Sequence, residues 1–311
     1  MAGLTVQNFV NAGNGMAVAV AVIRGFVMPK GTMLGNFWGD LTRSALWIPL
    51  PLSILLALFL AAQGVPQTLL RAVAATGVER QEQGIARGAA AAKTATKQLG
   101  TIGEGFFSVN STHPLENPTI ASNRVQSLAI LLIPVAFCFR FGRMAGDRRQ
   151  GWAIFSAISV MFVAGLAMIH VEEATGNPAL GLGANMERKE QRFGALLSKL
   201  WAASTTPTLN GSVNAMHNKF MPLSGLVIMV FMQIGEVIFR GVGAGLYPYA
   251  WAFFVPFILI TTFAVLNLIV GLIVNSMQEA AAEDEAEKIQ AFETRVLERL
   301  ADIERNLDAK G

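Results

Sequence analysis

Apolar residues cluster along this chain in runs close to the ~20 positions that a helix needs to cross a hydrocarbon core. The first run covers residues 9–28 and is rich in Ala, Val and Gly. The second covers 45–62, with Pro49 and Pro51 near its start, where a helix tolerates proline best. Residues 63–98 turn polar and alanine-rich, carry Arg71, Arg80, Arg87, Lys93 and Lys97, and are expected to form a loop with short helices. The third and fourth runs, 125–141 and 152–170, are separated by Arg143, Asp147, Arg148 and Arg149, which read as a solvated turn. A fifth run covers 223–239, and a long sixth covers 250–277.

Composition sharpens this picture. A chain of 311 residues that is 53% hydrophobic and 14% charged, with a mean hydropathy of +0.47, holds more apolar surface than one soluble domain buries, so part of it must face lipid. The net charge of +3 is small, and no Lys/Arg cluster interleaves with aromatics, which argues against nucleic acid as a partner. Cys138 is the single cysteine and reads as a core filler. Residues 1–10 lack the basic flank and compact apolar stretch of a signal peptide, so insertion is expected to rely on the internal helices.

Basic residues are retained on the cytoplasmic side of a membrane, and the RFGRMAGDRRQG turn therefore reads as inside. Parity places Lys30 and Arg43 inside as well, and both long polar segments, 63–124 and 171–222, outside. If 223–239 and 250–277 both crossed, the acidic tail would end outside. Gly241, Gly243, Gly245 and Pro248 break helices between them. A broken or re-entrant stretch over 223–249 resolves the count and leaves the tail cytoplasmic. The expected division is 1–62, two transmembrane helices; 63–141, outer loop, first pore loop and third transmembrane helix; 142–249, fourth transmembrane helix, second pore loop and broken helix; 250–278, final transmembrane helix; and 279–311, helical tail.

The two outer loops share a plan: a mildly amphipathic stretch, a turn rich in Thr and Gly, then a return to an apolar helix. The first turn holds Thr101, Ile102, Gly103, Glu104 and Gly105; the second holds Thr205, Thr206, Asn210 and Gly211, with Pro207, Thr208 and Leu209 between. A cation filter needs successive carbonyls turned toward an axis to replace the ion's water, and glycine supplies the backbone angles. Such turns are also common in ordinary loops. Glu104 is either an acid that draws cations or a solvated loop residue. Glu236 and Arg240, four apart on the fifth run, either pair with one another or serve the conducting path as intramembrane charges. His113, His170 and His217 show no ligand spacing, so no metal site is expected beyond a monovalent cation.

Several longer motifs carry a family resemblance. HPLENPT at 113–119, NMERKEQRFG at 185–194, GSVNAMHNKF at 211–220 and GEVIFRGVGAGLY at 235–247 occur together with AGLTVQNFV at the start and GDRRQG at 146–151. Over about 2–246 the chain resembles the potassium-translocating A subunit of the Kdp P-type ATPase. That resemblance implies an all-α membrane protein built from helix–pore-loop–helix repeats of the potassium-channel and transporter superfamily type. Potassium would be bound by filter carbonyls, and an ATP-hydrolysing partner would act in a bacterial inner membrane. Gly103 and Gly211 match the filter glycines, and Gly241 to Gly245 match an in-membrane loop that gates the path. Ile102 and Glu104 depart from the family's GTNGGGF pattern, Pro207 and Leu209 from its TTAAS run, and Arg240 from a usual glycine.

Residues 247–278 instead resemble the pore-lining last helix of bacterial voltage-gated sodium channels, with Asn267 and Asn275 at polar positions of that helix. An acidic tail follows. In the tail, Ile289, Val296, Leu300, Ile303 and Leu307 form an apolar stripe that suits either a short coiled coil or an exposed amphipathic helix. The leading expectation is a cation subunit of the potassium-transporter type without ATPase chemistry of its own or any cofactor, embedded in lipid and completed by a second copy or by ATP-hydrolysing partners. The alternatives are a sodium-channel-like homo-oligomeric pore and a non-conducting chimeric or truncated scaffold.

Overall fold

The structure, a computed structural model, describes residues 2–27, 35–70, 72–77, 80–176 and 183–235. The expectations placed on 236–311, including the gate residues, the last helix and the tail, lie outside the described residues.

Helix α1, Ala2–Val27, begins seven residues before the first apolar run. Its amino-terminal polar positions are not all solvated: Asn8 is fully buried against the protein. Helix α2, Phe37–Trp47, is capped by Asn36, whose side chain accepts from the Gly39 amide at 3.1 Å. It precedes the expected start at 45 because Asp40 does not face lipid alone. Both Asp40 oxygens meet the Arg24 guanidinium of α1, one of them at 3.0 Å. Helix α3, Pro49–Ala62, follows with proline in its first turn, and α2 with α3 forms a predominantly apolar segment of 26 residues, 37–62.

Residues 63–98, expected to be a loop with short helices, hold a strand pair as well as a helix within a mostly helical protein. A short antiparallel hairpin, β1 (Val73–Thr76) and β2 (Glu82–Ile85), pairs Val73 with Ile85 and Thr76 with Glu82. Its strands are exposed on both faces, so no alternation of apolar and polar residues marks them. Helix α4, Ala90–Leu99, then turns back into the protein, packing on α1, α3 and α5.

Two long helices follow. Helix α5, Ile120–Met144, opens with a capping box in which Thr119 and Ser122 satisfy each other's backbone amides. Helix α6, Arg148–Thr175, is capped by Asp147, which accepts from the Arg149 amide at 2.9 Å, so the turn read as merely solvated has a structural acid. The pair packs closely because Gly142 and Gly151 face each other: a Cβ on Gly142 would lie 2.7 Å from the Gly151 amide nitrogen. Helix α7, Gly194–Thr205, packs on α5 and α6, and α8, Pro222–Gln233, packs on α6. Twelve residues make α8 about 18 Å long, short of a full crossing.

Among the described residues, four segments are long and apolar enough to cross a membrane: 3–27, 37–62, 120–144 and 148–175. Leu55, Leu58, Leu128 and Val160 are about two-thirds exposed on these helices, as lipid-facing side chains would be. The short helices α4 and α7 are instead buried almost all round, including their lysines.

Candidate cation site

Helices α4 and α7 end in the same way. After α4, the Thr101 amide donates to the Gln98 carbonyl at 3.3 Å and the Ile102 amide to the Lys97 carbonyl at 3.0 Å. After α7, the Leu209 amide donates to Thr206 at 3.1 Å and the Asn210 amide to Thr205 at 3.0 Å. Both are Schellman closures, in which one residue turns left-handed so that two late carbonyls regain donors. That residue is Thr101 at φ 49° in one turn and Leu209 at φ 51° in the other. Side chains there cost about 1–2 kcal/mol each relative to a right-handed backbone, and such strain persists only where the surroundings over-determine it.

The surroundings are the two turns themselves, which meet. The Gly103 amide donates to the Asn210 carbonyl. The Asn210 side chain donates to the Lys97 carbonyl at 3.3 Å, and the Ser212 hydroxyl bonds the Gln98 amide oxygen at 3.1 Å. Trp201 of α7, fully buried, donates its indole N–H to the Ser212 carbonyl at 2.9 Å. Gly103 is the only residue type this contact admits, because a Cβ there would collide with the backbone of Asn210, Gly211 and Ser212. Gly211 answers with φ 78°, a value that glycine adopts without strain.

Thr101, Thr205, Thr206 and Asn210 are buried, while Glu104 is exposed at the rim. Gly105 leads into Phe106 and Phe107. The turns' oxygens are already used in part. Asn110 donates to the Gly103 carbonyl, and the Glu104 amide to the Ile102 carbonyl at 2.8 Å. Among the described residues no donor reaches the carbonyl oxygens of Thr101 or Gly211. The carbonyl ends of α4 and α7 sit directly beneath the turns, each equivalent to about half a negative charge.

Each loop is pinned by a buried carboxylate paired with a buried lysine, and sequence reasoning missed all four residues. In the first loop the Lys97 ammonium meets the Glu116 carboxylate, and both side chains are fully buried. Lys97 also donates to Ser111 at 2.9 Å. The other Glu116 oxygen accepts from the amides of Phe106 at 3.1 Å and Phe107 at 3.3 Å, immediately beyond the turn. In the second loop Glu173, at the end of α6, pairs with Lys189 at 2.8 Å, again with both side chains fully buried. Glu173 accepts from the Met221 amide at 2.6 Å and from Asn185 at 2.9 Å, so one side chain ties both feet of the loop. The two loops join where Arg192 donates to the Asn117 and Pro118 carbonyls, each at 3.2 Å.

Lys93, one helical turn before Lys97, completes the charge pattern: it is buried, and its ammonium lies 3.9 Å from Glu104. Lys93, Lys97, Glu104 and Glu116 therefore balance. The readable signal was the alanine run 89–92, a small-residue helix start that packs closely and carries the lysines inward with it.

His113 and His217 are not brought together. His113 stacks on Phe107 at 3.8 Å between ring centroids, and its Nδ1 accepts from the Leu115 amide at 3.1 Å. His217 packs edge-on against Phe220, and burial pushes its imidazole down to about 4. Glu187, exposed beside Lys219 at 2.7 Å, is held below the usual carboxylate range by that hydrogen-bonded pair.

Comparison with known proteins carries the match past the 2–246 of the resemblance and through 247–278. The family described as the potassium-transporting ATPase A subunit matches residues 1–280. The potassium-transporting ATPase potassium-binding subunit of Rhodospirillum centenum is 55% identical over 253 residues, 79% of this chain and 44% of the relative. The subunit so named in Sorangium cellulosum is 49% identical over 317 residues, 95% of this chain and 52% of the relative. That of Methylococcus capsulatus is 53% identical over 282 residues, 79% and 47% of the two chains. The chain spans about half the length of the curated relatives it matches.

Proposed function

Because the chain belongs to the potassium-transporting ATPase A subunit family, we propose that it is a membrane subunit that binds and translocates potassium, with an ATP-hydrolysing partner supplying the energy. The observation that carries the reading is the meeting of the two turns, Gly103 against Asn210, at the carbonyl ends of two buried short helices. Potassium is large and weakly hydrated, and a ring of backbone oxygens replaces its water at little cost. The Thr101 and Gly211 carbonyls are the ligands offered most directly. For the Asn210 oxygen to serve an ion, its bond from the Gly103 amide must open.

The proposal extends to Ile102, Glu104, Gly105, Thr205 and Thr206 as the rest of the ion path, and to Glu236, Arg240, Gly241, Gly243 and Gly245 as its gate. Two turns form part of a ring. The remainder comes from a second copy or from partner subunits in the inner membrane. The sequence shows neither a phosphate loop nor an aspartyl-phosphate motif, and hydrolysis is assigned to the partner.

A second reading, a scaffold that does not conduct, is favoured by the engagement of the Gly103, Ile102 and Asn210 oxygens within the protein. Flux in proteoliposomes separates the two. A potassium gradient discharged faster than a sodium gradient supports translocation; no discharge of either, by the chain with or without its partners, supports the scaffold; discharge of sodium alone returns the sodium-channel reading of 247–278.

A further inference from the structure

At the end of the bundle that carries the α5–α6 turn, helices α1, α2, α3 and α5 enclose a crevice of about 790 Å³. Its mouth holds Arg24, Arg43, Arg140 and Arg143 against a single acid, Asp40. Asp40 is spent on Arg24. Among the described residues Arg43, Arg140 and Arg143 form no ion pair, and all three are exposed. The crevice thus sets four guanidinium groups against one carboxylate, which pairs with Arg24 and also faces Arg43, so positive charge is in excess.

The inner part of the crevice is of the opposite character. Leu52, Ile133 and Phe137 line it, and Ile133 lies two helical turns from Arg140, about 10 Å deeper along α5. Trp47, largely exposed, stands at the wall between the two zones, the depth that indoles favour at a membrane interface. A soluble phosphate would use the arginines and leave the apolar walls idle. A neutral lipid would fill the walls and leave the arginines unanswered.

We propose that this crevice binds one phospholipid of net negative headgroup from the leaflet on the side of the basic turn, with its phosphate among Arg43, Arg140 and Arg143 and an acyl chain along Leu52, Ile133 and Phe137. Arginine forks match phosphate oxygens bidentately, and basic pockets between transmembrane helices on the cytoplasmic side are suited to anionic headgroups. The site is separate from the two turns and does not rest on ion translocation.

Trp47 provides the readout. The full chain is reconstituted in vesicles of phosphatidylcholine with a minor fraction of phosphatidylglycerol, and either lipid is supplied with brominated acyl chains. The quenching of Trp47 is the difference between the native chain and W47F. Brominated phosphatidylglycerol should quench well beyond its share of the bilayer, and brominated phosphatidylcholine only in proportion to it. R140Q and R143Q should each weaken the preference about fivefold, and R140K/R143K should retain most of it. The single variants keep the test open should the double glutamine variant fail to insert. Equal quenching by both lipids, no quenching by either, a preference undiminished in R140Q and R143Q, or its abolition by millimolar inorganic phosphate would each overturn the proposal.

Discussion

Thr101 and Leu209 hold the same left-handed backbone conformation at the same step of the same helix-ending motif, although one is β-branched and the other γ-branched. Glycine is the ordinary occupant of that position. Leu209 is partly exposed, so its replacement sacrifices little burial. Leu209→Gly should stabilise the protein by about 1 kcal/mol, the relieved strain less glycine's extra chain entropy. Leu209→Val should destabilise it. Melting in detergent checks both, and a lower midpoint for Leu209→Gly would contradict the strain.

Gly103→Ala should be far more harmful than its one added carbon suggests, because that carbon has only the backbone of the second turn to displace. Overpacking of this kind costs about 1–3 kcal/mol. Potassium flux in proteoliposomes should be lost together with part of the stability. Gly84→Ala, where the added carbon meets nothing within 4 Å, is the matched control and should leave both unchanged.

Glu116→Ala should destabilise by about 3–5 kcal/mol, since it strands the fully buried Lys97 ammonium and frees the amides of Phe106 and Phe107. The double variant K97M/E116Q removes both charges and keeps an acceptor for those amides. It should recover most of the loss. Denaturant unfolding of the three chains tests this, and equal damage in the single and double variants would show that charge burial is not the main term.

Acid should weaken the protein through His217 before the carboxylates titrate. Its pKa is about 4 in the folded chain against an ordinary 6.5, so between those values the unfolded chain binds more protons. Stability is full above about pH 6.5, declines as the pH falls toward 4, and loses nothing more from this group below that. The melting temperature should drop between pH 7.5 and 5.5 in the native chain and drop less in His217→Asn. The Glu187–Lys219 pair acts lower, its contribution lost only as the pH falls through and below the usual carboxylate range.

The long helices were legible because lipid imposes a simple rule on sequence: residues 125–141 and 152–170 lie within α5 and α6, which extend beyond the apolar runs to the caps at Thr119 and Asp147 and by three and five residues at their carboxyl ends. The starts of α1 and α2 were not legible, because Asn8 and Asp40 read as polar while their partners, the Ile102 carbonyl of the first turn and Arg24 of α1, lie far off in sequence. The hairpin was hidden by strands with no buried face. At the site, the glycines of the two turns were visible as punctuation. Their contact was not, since it depends on Asn210 reaching across to α4. Lys97 and Glu116 look like solvated residues in any local window, and only a helix buried all round turns them into a structural pair.

The joining of Gly103 to Asn210 also sets a timetable for biosynthesis. While the ribosome has delivered α1 to α5 alone, the Gly103 amide and the Gln98 side-chain oxygen await partners that are still untranslated, and the Lys97 carbonyl holds only its bond from Ile102. The first loop must therefore wait, half-satisfied, through the insertion of α6 and α7. A nascent chain arrested before Ser212 should expose it to proteases that the finished protein resists.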